Sequence, residues 1–181
     1  ESSDAQMAQA KKLHPLLAML QPTNGQLSMV GLANVRDTAA INQVIHSAVA
    51  KQILPSDVKL LWSAKPTDMY QGAKNIYELH ALKMTSSNGR APLEGDVVTD
   101  AKDQFNPTTG QPEVSMSMNS EGARRWAALT KANVGKAIAI VLDGVVYTSP
   151  RILGEIDGGQ SSITGHFTIE DTKDLANTLK S

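Results

Sequence analysis

Cysteine is absent from all 181 residues, which removes disulfides, thiolate nucleophiles and cysteine metal ligands together. No window approaches the ~18–20 consecutive apolar residues that cross a bilayer as a helix, and no charged-then-apolar leader opens the sequence. A block of basic residues is missing too. The 17 Lys+Arg stand against 18 Asp+Glu, a formal net charge of −1, so nothing here tracks a phosphate backbone and nucleic acid is not an expected partner. The first 90 residues carry a formal +3 and the remaining 91 carry −4, a mild asymmetry between two surfaces.

The motifs of common chemistry are equally scarce. His14, His46, His80 and His166 are scattered with no H-x-x-x-H or H-E-x-x-H spacing, so no metal site is read from them. No G-x-S-x-G elbow occurs, and Ser149-Pro150 and Gly159-Gln160-Ser161 read as a hairpin exit and a turn. Gly144, Gly154, Gly158, Gly159 and Gly165 match neither phosphate-cradling pattern and suit tight turns and close strand approach. Asp143 and Asp157 could be imagined as an acid/base couple, but each has a turn role, Asp143 at a corner and Asp157 ahead of Gly158-Gly159. No catalytic, cofactor-binding or metal-binding residue is therefore singled out, and no cofactor is expected.

What is present is secondary-structure punctuation. Ala5, Ala8, Leu13, Leu16, Leu17 and Leu20 recur with helical period over about 4–20, and Pro15 either kinks that helix or starts a second short one. Residues 27–32 read as a strand, followed by a helix capped by Asp37 that carries Ile41, Val44, Ile45, Ala48 and Val49 on one face. Strands are expected over 58–62, 76–84 and 113–118, the last with Val114, Met116 and Met118 on its core face. Asn119 or Ser120 caps a helix whose buried stripe runs Ala123, Ala127, Thr130 and Val134, with Trp126 beside it, and Gly135 stops it. Residues 138–142 and 145–148 form a β-hairpin around Asp143-Gly144, a type I′ turn, with Pro150 ending the pairing. A strand at 161–164 and a helix with a capping-box start at Thr168, burying Leu175, Ala176 and Leu179, close the chain. Short loops joining strands directly predict an α+β fold, helices packed on a largely antiparallel β-sheet.

Three blocks in one order resemble the extracytoplasmic domain of SecD, the accessory protein of the Sec translocon. They are Asn119-Ser120-Glu121-Gly122-Ala123-Arg124-Arg125-Trp126 with Asn133-Val134-Gly135; the hairpin itself; and Gly158-Gly159, Ile163-Thr164-Gly165-His166-Phe167-Thr168 and the closing helix. The resemblance covers roughly 93–181 and is loose before that. Ser86 to Pro92, small, polar and Gly/Pro-bearing, marks the internal boundary. Residues 1–90 are accordingly a variable α+β region, an insertion or a lobe packed with the rest into one domain, and 91–181 the SecD-like lobe. An opening of Glu1-Ser2-Ser3-Asp4 and an end at Leu179-Lys180-Ser181 still in helical pattern are expected of a piece cut from a longer protein.

The resemblance implies a non-catalytic domain of SecD or of a fused SecD/SecF chain, not an enzyme. It would sit on the periplasmic face of the bacterial inner membrane and touch the membrane only through parts of the parent outside this segment. Implied partners are the Sec channel, SecF and unfolded preprotein, whose export is driven by the proton-motive force; the client-binding residues are unknown from sequence. Two alternatives stand beside it. One is a small-ligand-binding or hydrolytic α+β domain with a pocket near Asp157 to His166, since function lies in sites and not in folds; the other is a structural spacer.

Overall fold

Pro15 starts a helix and does not kink one. Helix α1 (Ser2–Leu13) stops, and α2 (Pro15–Met19) begins with the proline in its first turn, where its missing N–H costs nothing. The computed structural model describes residues 2–25 and 27–181. They divide into two units: one reaches to Lys83 and includes Gly144–Val146; the other comprises Met84–Asp143 and Tyr147–Ser181.

In the first unit an antiparallel sheet runs in the order β1 (Leu20–Pro22), β2 (Met29–Asn34), β4 (Ile76–Lys83), β3 (Val58–Pro66), and Ser63 of β3 pairs in parallel with Val146. The single helix expected after Asp37 is two. Helix α3 (Thr38–Ile45) ends at His46, and Ser47, with extended backbone, accepts a hydrogen bond from Ala50 N to cap α4 (Ala48–Ile53). Asp37 makes no side-chain cap; Asn34 caps the preceding 3-10 turn instead. The break divides the expected apolar face: Ile41 and Ile45 pack with Ala33 and Leu79 in the core, whereas Val44 and Val49 remain exposed.

The second unit is built on a three-stranded antiparallel sheet, β5 (Val98–Phe105), β6 (Pro112–Met118) and β9 (Gln160–Ile163), with β6 in the middle. Val114, Met116 and Met118 are buried as their alternation predicts, against Trp126, Leu175 and Ala176 of helices α5 (Ser120–Ala132) and α6 (Ile169–Lys180). With helices on largely antiparallel strands in both units, the chain is α+β.

Both helices have the caps the sequence predicts. Asn119 Oδ1 accepts from Gly122 N at 2.8 Å, and Thr168 and Asp171 form a reciprocal capping box. The buried stripe of α5 differs from expectation: it is Gly122, Trp126 and Thr130, and Val134 is half exposed. The reason is a close approach. A Cβ on Gly122 would lie 2.7 Å from Val97 Cβ, so only glycine lets the helix sit this near the strand that follows Val97. Thr130 is buried as expected, and its hydroxyl donates to Trp126 O and accepts from Ile156 N, pinning the 153–158 loop to the helix.

The hairpin of β7 (Ile140–Leu142) and β8 (Val145–Thr148) turns through Asp143 (φ +50°) and Gly144 (φ +78°), both in the left-handed region that a type I′ turn needs. Pro150 does not end the pairing. Its carbonyl accepts from Ile138 N, Ala137 bridges Arg151, and Ile152 N donates to Lys136 O, so the arms continue to Gly135. Proline lacks only the donor, and here only its acceptor is used.

Two substitutions test these geometries. Gly144→Val places a β-branched residue at φ +78° and should cost about 1–3 kcal/mol, read as a lower urea midpoint at unchanged m-value. Gly122→Ala gains roughly 1 kcal/mol of helix propensity but meets Val97 Cβ, which cannot swing away; overpacking of about 1–3 kcal/mol should win, giving net destabilisation by the same measurement.

Candidate functional site

Strand alternation gives β6 a second face. Opposite Val114, Met116 and Met118 lie Glu113, Ser115 and Ser117, and the register sets Gln104 of β5 beside Glu113 and Ser162 of β9 beside Ser115. On this polar face Asp100 and Lys102 of β5 pair at 2.9 Å in the open, where such a pair contributes little. Glu113 is different, because only 2% of it is exposed.

Three neutral donors hold its carboxylate. Gln104 Nε2 (2.7 Å) and Ser162 Oγ (3.2 Å) donate to Oε1, and Asn106 Nδ2 (2.9 Å) donates to Oε2. Asn106 is itself fixed, its Oδ1 accepting from the backbone N–H groups of Thr108 and Thr109 in the turn between β5 and β6. Burial pushes the Glu113 carboxyl up, but the hydrogen bonds from Gln104, Asn106 and Ser162 together outweigh it and leave the group below its ordinary value. Among the described residues it has no cationic partner. Beside it opens a cavity of about 310 Å³, lined also by Asn106, Thr109, Gln111, Thr164 and His166.

A second polar cluster lies in the first unit. Ser28 Oγ meets His80 Nδ1 at 2.9 Å, His80 Nε2 meets Glu78 Oε2 at 3.1 Å, and Thr67 Oγ1 donates to Glu78 Oε1 at 2.7 Å. The hydrogen bond from His80 lowers the Glu78 carboxyl; burial opposes it and Thr67 adds to it. A hydroxyl, an imidazole and a carboxylate in a row have the connectivity of an acyl-transfer relay. Here Glu78 and His80 stand two apart on β4, Ser28 precedes β2 and Thr67 follows β3, so the four side chains bond three neighbouring strands of one sheet.

Sequence reasoning named neither cluster. Of the histidines, His80 belongs to the relay-like row, His166 lines the cavity, and His14 and His46 occupy helix ends. Asp143 sits at its turn corner and Asp157 is exposed before Gly158 and Gly159, both of positive φ. The cavity reaches 164–166, within the stretch considered for a pocket, but its other wall is 106–113. The legible signal was the alternation itself: a glutamate at the start of a strand whose other face is apolar. Among the described residues no group of three or more His, Asp or Glu side chains could hold a metal ion, and no helix is long and apolar enough to cross a membrane.

Capped helices on an antiparallel sheet, with polar clusters that cross-link strands, define an α+β module. The family described as SecDF, P1 head subdomain, matches residues 74–181. The chain belongs to that family. It is 42% identical over 168 residues to the protein translocase subunit SecD of Rhodothermus marinus, covering 93% of this chain and 26% of that protein. Against the SecDF of Thermus thermophilus it is 42% identical over 92 residues, covering 49% of this chain and 12% of that one. A solved SecDF structure, described as a membrane component that enhances protein export, is matched at 30% identity and a TM-score of 0.46, over 86% of this chain and 63% of that one. The chain spans about a quarter of the length of the curated SecD relatives it matches first.

The depressed glutamates of the two clusters set an expectation for acid. Glu78 and Glu113 bind protons less readily folded than unfolded, so their contribution is present above the ordinary glutamate value of about 4.3 and is lost as pH falls through their lower folded values. Urea titrations between pH 6 and 2 should show a loss of stability below that value that is shallower in Glu113→Gln, which has no carboxyl to protonate.

Proposed function

We propose that this chain is a non-catalytic, extracytoplasmic domain of a Sec accessory membrane protein and that it contacts unfolded preprotein emerging from the channel. The family match over 74–181 carries the reading. On it, the parent sits in the bacterial inner membrane with this domain on the periplasmic face, beside SecF and the Sec channel, and the proton-motive force drives the export that the domain assists. Residues 91–181 are the SecD-like lobe in this reading and 1–90 a variable region added to it.

One physical feature supports a contact role over a chemical one. Ser28, Thr67, Glu78 and His80 hydrogen-bond one another around the strands of one sheet, which is the arrangement of a brace. Contacts with a moving client are then transient, and they gain effect from being held near the channel at high local concentration. The isolated domain should therefore bind unfolded polypeptide weakly, while the tethered one engages it.

The test places photo-crosslinking residues over this domain in the intact parent and stalls a secretory protein in mid-transit. Crosslinks to the client that appear only during translocation are expected. Their complete absence, with the variants functional and crosslinks present elsewhere on the parent, would leave a structural spacer as the better account.

A further inference from the structure

The buried carboxylate of Glu113 braces the 106–111 turn, because Asn106, its Oδ1 taken by Thr108 N and Thr109 N, can offer it only an N–H. A glutamine there would set its own amide N–H against one of those donors, so the site requires an acceptor on both oxygens, and only a carboxylate supplies it. The negative charge is retained by three neutral donors and is answered by no cation among the described residues. Its oxygens are also unequally used. Oε1 accepts two hydrogen bonds and Oε2 one, and a carboxylate oxygen accepts two. One acceptor position on Oε2 is left beside a cavity of about 310 Å³, the lower end of the size range of ligand sites.

A buried acceptor with a full charge, at the wall of a concave polar site, selects a donor that is itself positive. Charge-assisted hydrogen bonds are roughly twice as strong as neutral ones. The other walls suit the stem of such a group: the Pro112 ring and the Thr109 and Thr164 side chains offer apolar surface with small polar edges. We infer that the cavity beside Glu113 is a subsite for a cationic side chain, lysine or arginine, of an extended polypeptide. The polypeptide as source rests on the reading of the domain as a contact for unfolded chains; the cation selectivity rests on the cavity alone. In that arrangement the rigid turn around Asn106 presents the carboxylate, and the gain per client residue is small enough for the chain to move on.

The chain is titrated with N-acetyl-arginine amide and with its uncharged isostere N-acetyl-citrulline amide, following the amide NMR shifts of Thr109, Gln111, Gly165 and His166. Saturable shifts with the arginine probe are expected, with affinity at least about tenfold weaker for citrulline, the change that follows from losing one charged hydrogen bond. Glu113→Gln should bring the arginine probe down to the citrulline level. If that variant does not fold, Thr109→Lys takes its place: Thr109 is an exposed turn residue on the cavity rim, and an ammonium tethered there should compete for the carboxylate and weaken the probe by a similar factor. Equal binding of the two probes, no saturable shift, or an arginine affinity untouched by whichever variant folds would overturn the subsite. A second titration, with an unstructured peptide carrying one arginine or one citrulline, reads the source. Binding of the amide but not of the arginine peptide would overturn the polypeptide assignment while leaving the cation subsite standing. Failure of crosslinking in the intact parent would bear on the contact role and not on either titration.

Discussion

Pairing along β6 decides where both kinds of side chain in the second unit go. As the middle strand it is hydrogen-bonded on both edges, so its alternation is imposed on β5 and β9, and a shift of one residue would turn every apolar group outward. Val114, Met116 and Met118 then supply the floor on which α5 and α6 pack, each burial stabilising by about 1.5–3 kcal/mol. The same constraint drives Glu113 to the opposite face, where its neighbours are polar. Core and polar cluster are two results of one period-two pattern.

Much of this was legible because the deciding interactions are local. Asn119, Thr168 and Asp171 act within three residues of themselves, the Asp143-Gly144 turn needs only its own backbone angles, and β6 declares its faces in seven letters. Where reading failed, the deciding partner lay far along the chain or in the backbone. The stripe on α5 was read from spacing as Ala123, Ala127, Thr130 and Val134, of which Thr130 is buried; the rest is set by the approach of Val97 to a glycine, which periodicity treats as neutral. Ser47 looked like a tolerable helix interior, and its competing role as a cap broke the helix. Pro150 was read as a stop because proline lacks a donor, yet the pairing asks it only to accept.

The polar clusters were out of reach for the same reason. Ser28 finds His80 at a separation of 52 residues and Ser162 finds Glu113 at 49, distances over which one sequence carries no pairing signal. Glu78 and His80 could have been noticed as alternate residues on one strand, but nothing in them told a cross-strand brace from a reaction centre. In the structure Glu78 and His80 bond each other within β4, and Thr67 and Ser28 reach them from outside that strand. This leaves an α+β module of the SecDF head family with a carboxylate at the wall of its cavity, held by three neutral donors and paired with no cation among the described residues.

The chain has only two tryptophans, and the fold distributes them one to each unit in contrasting surroundings. Trp62 is partly buried and donates its indole N–H to Asn42 Oδ1 at 2.8 Å, whereas Trp126 lies in the core with its Nε1 unbonded among the described residues. An indole shielded from water and without a hydrogen-bond acceptor emits at shorter wavelength than one that is solvated and bonded. The molecule thus contains its own two-colour reporter, and single Trp→Phe replacements would let the melting of each unit be followed by light with no label attached.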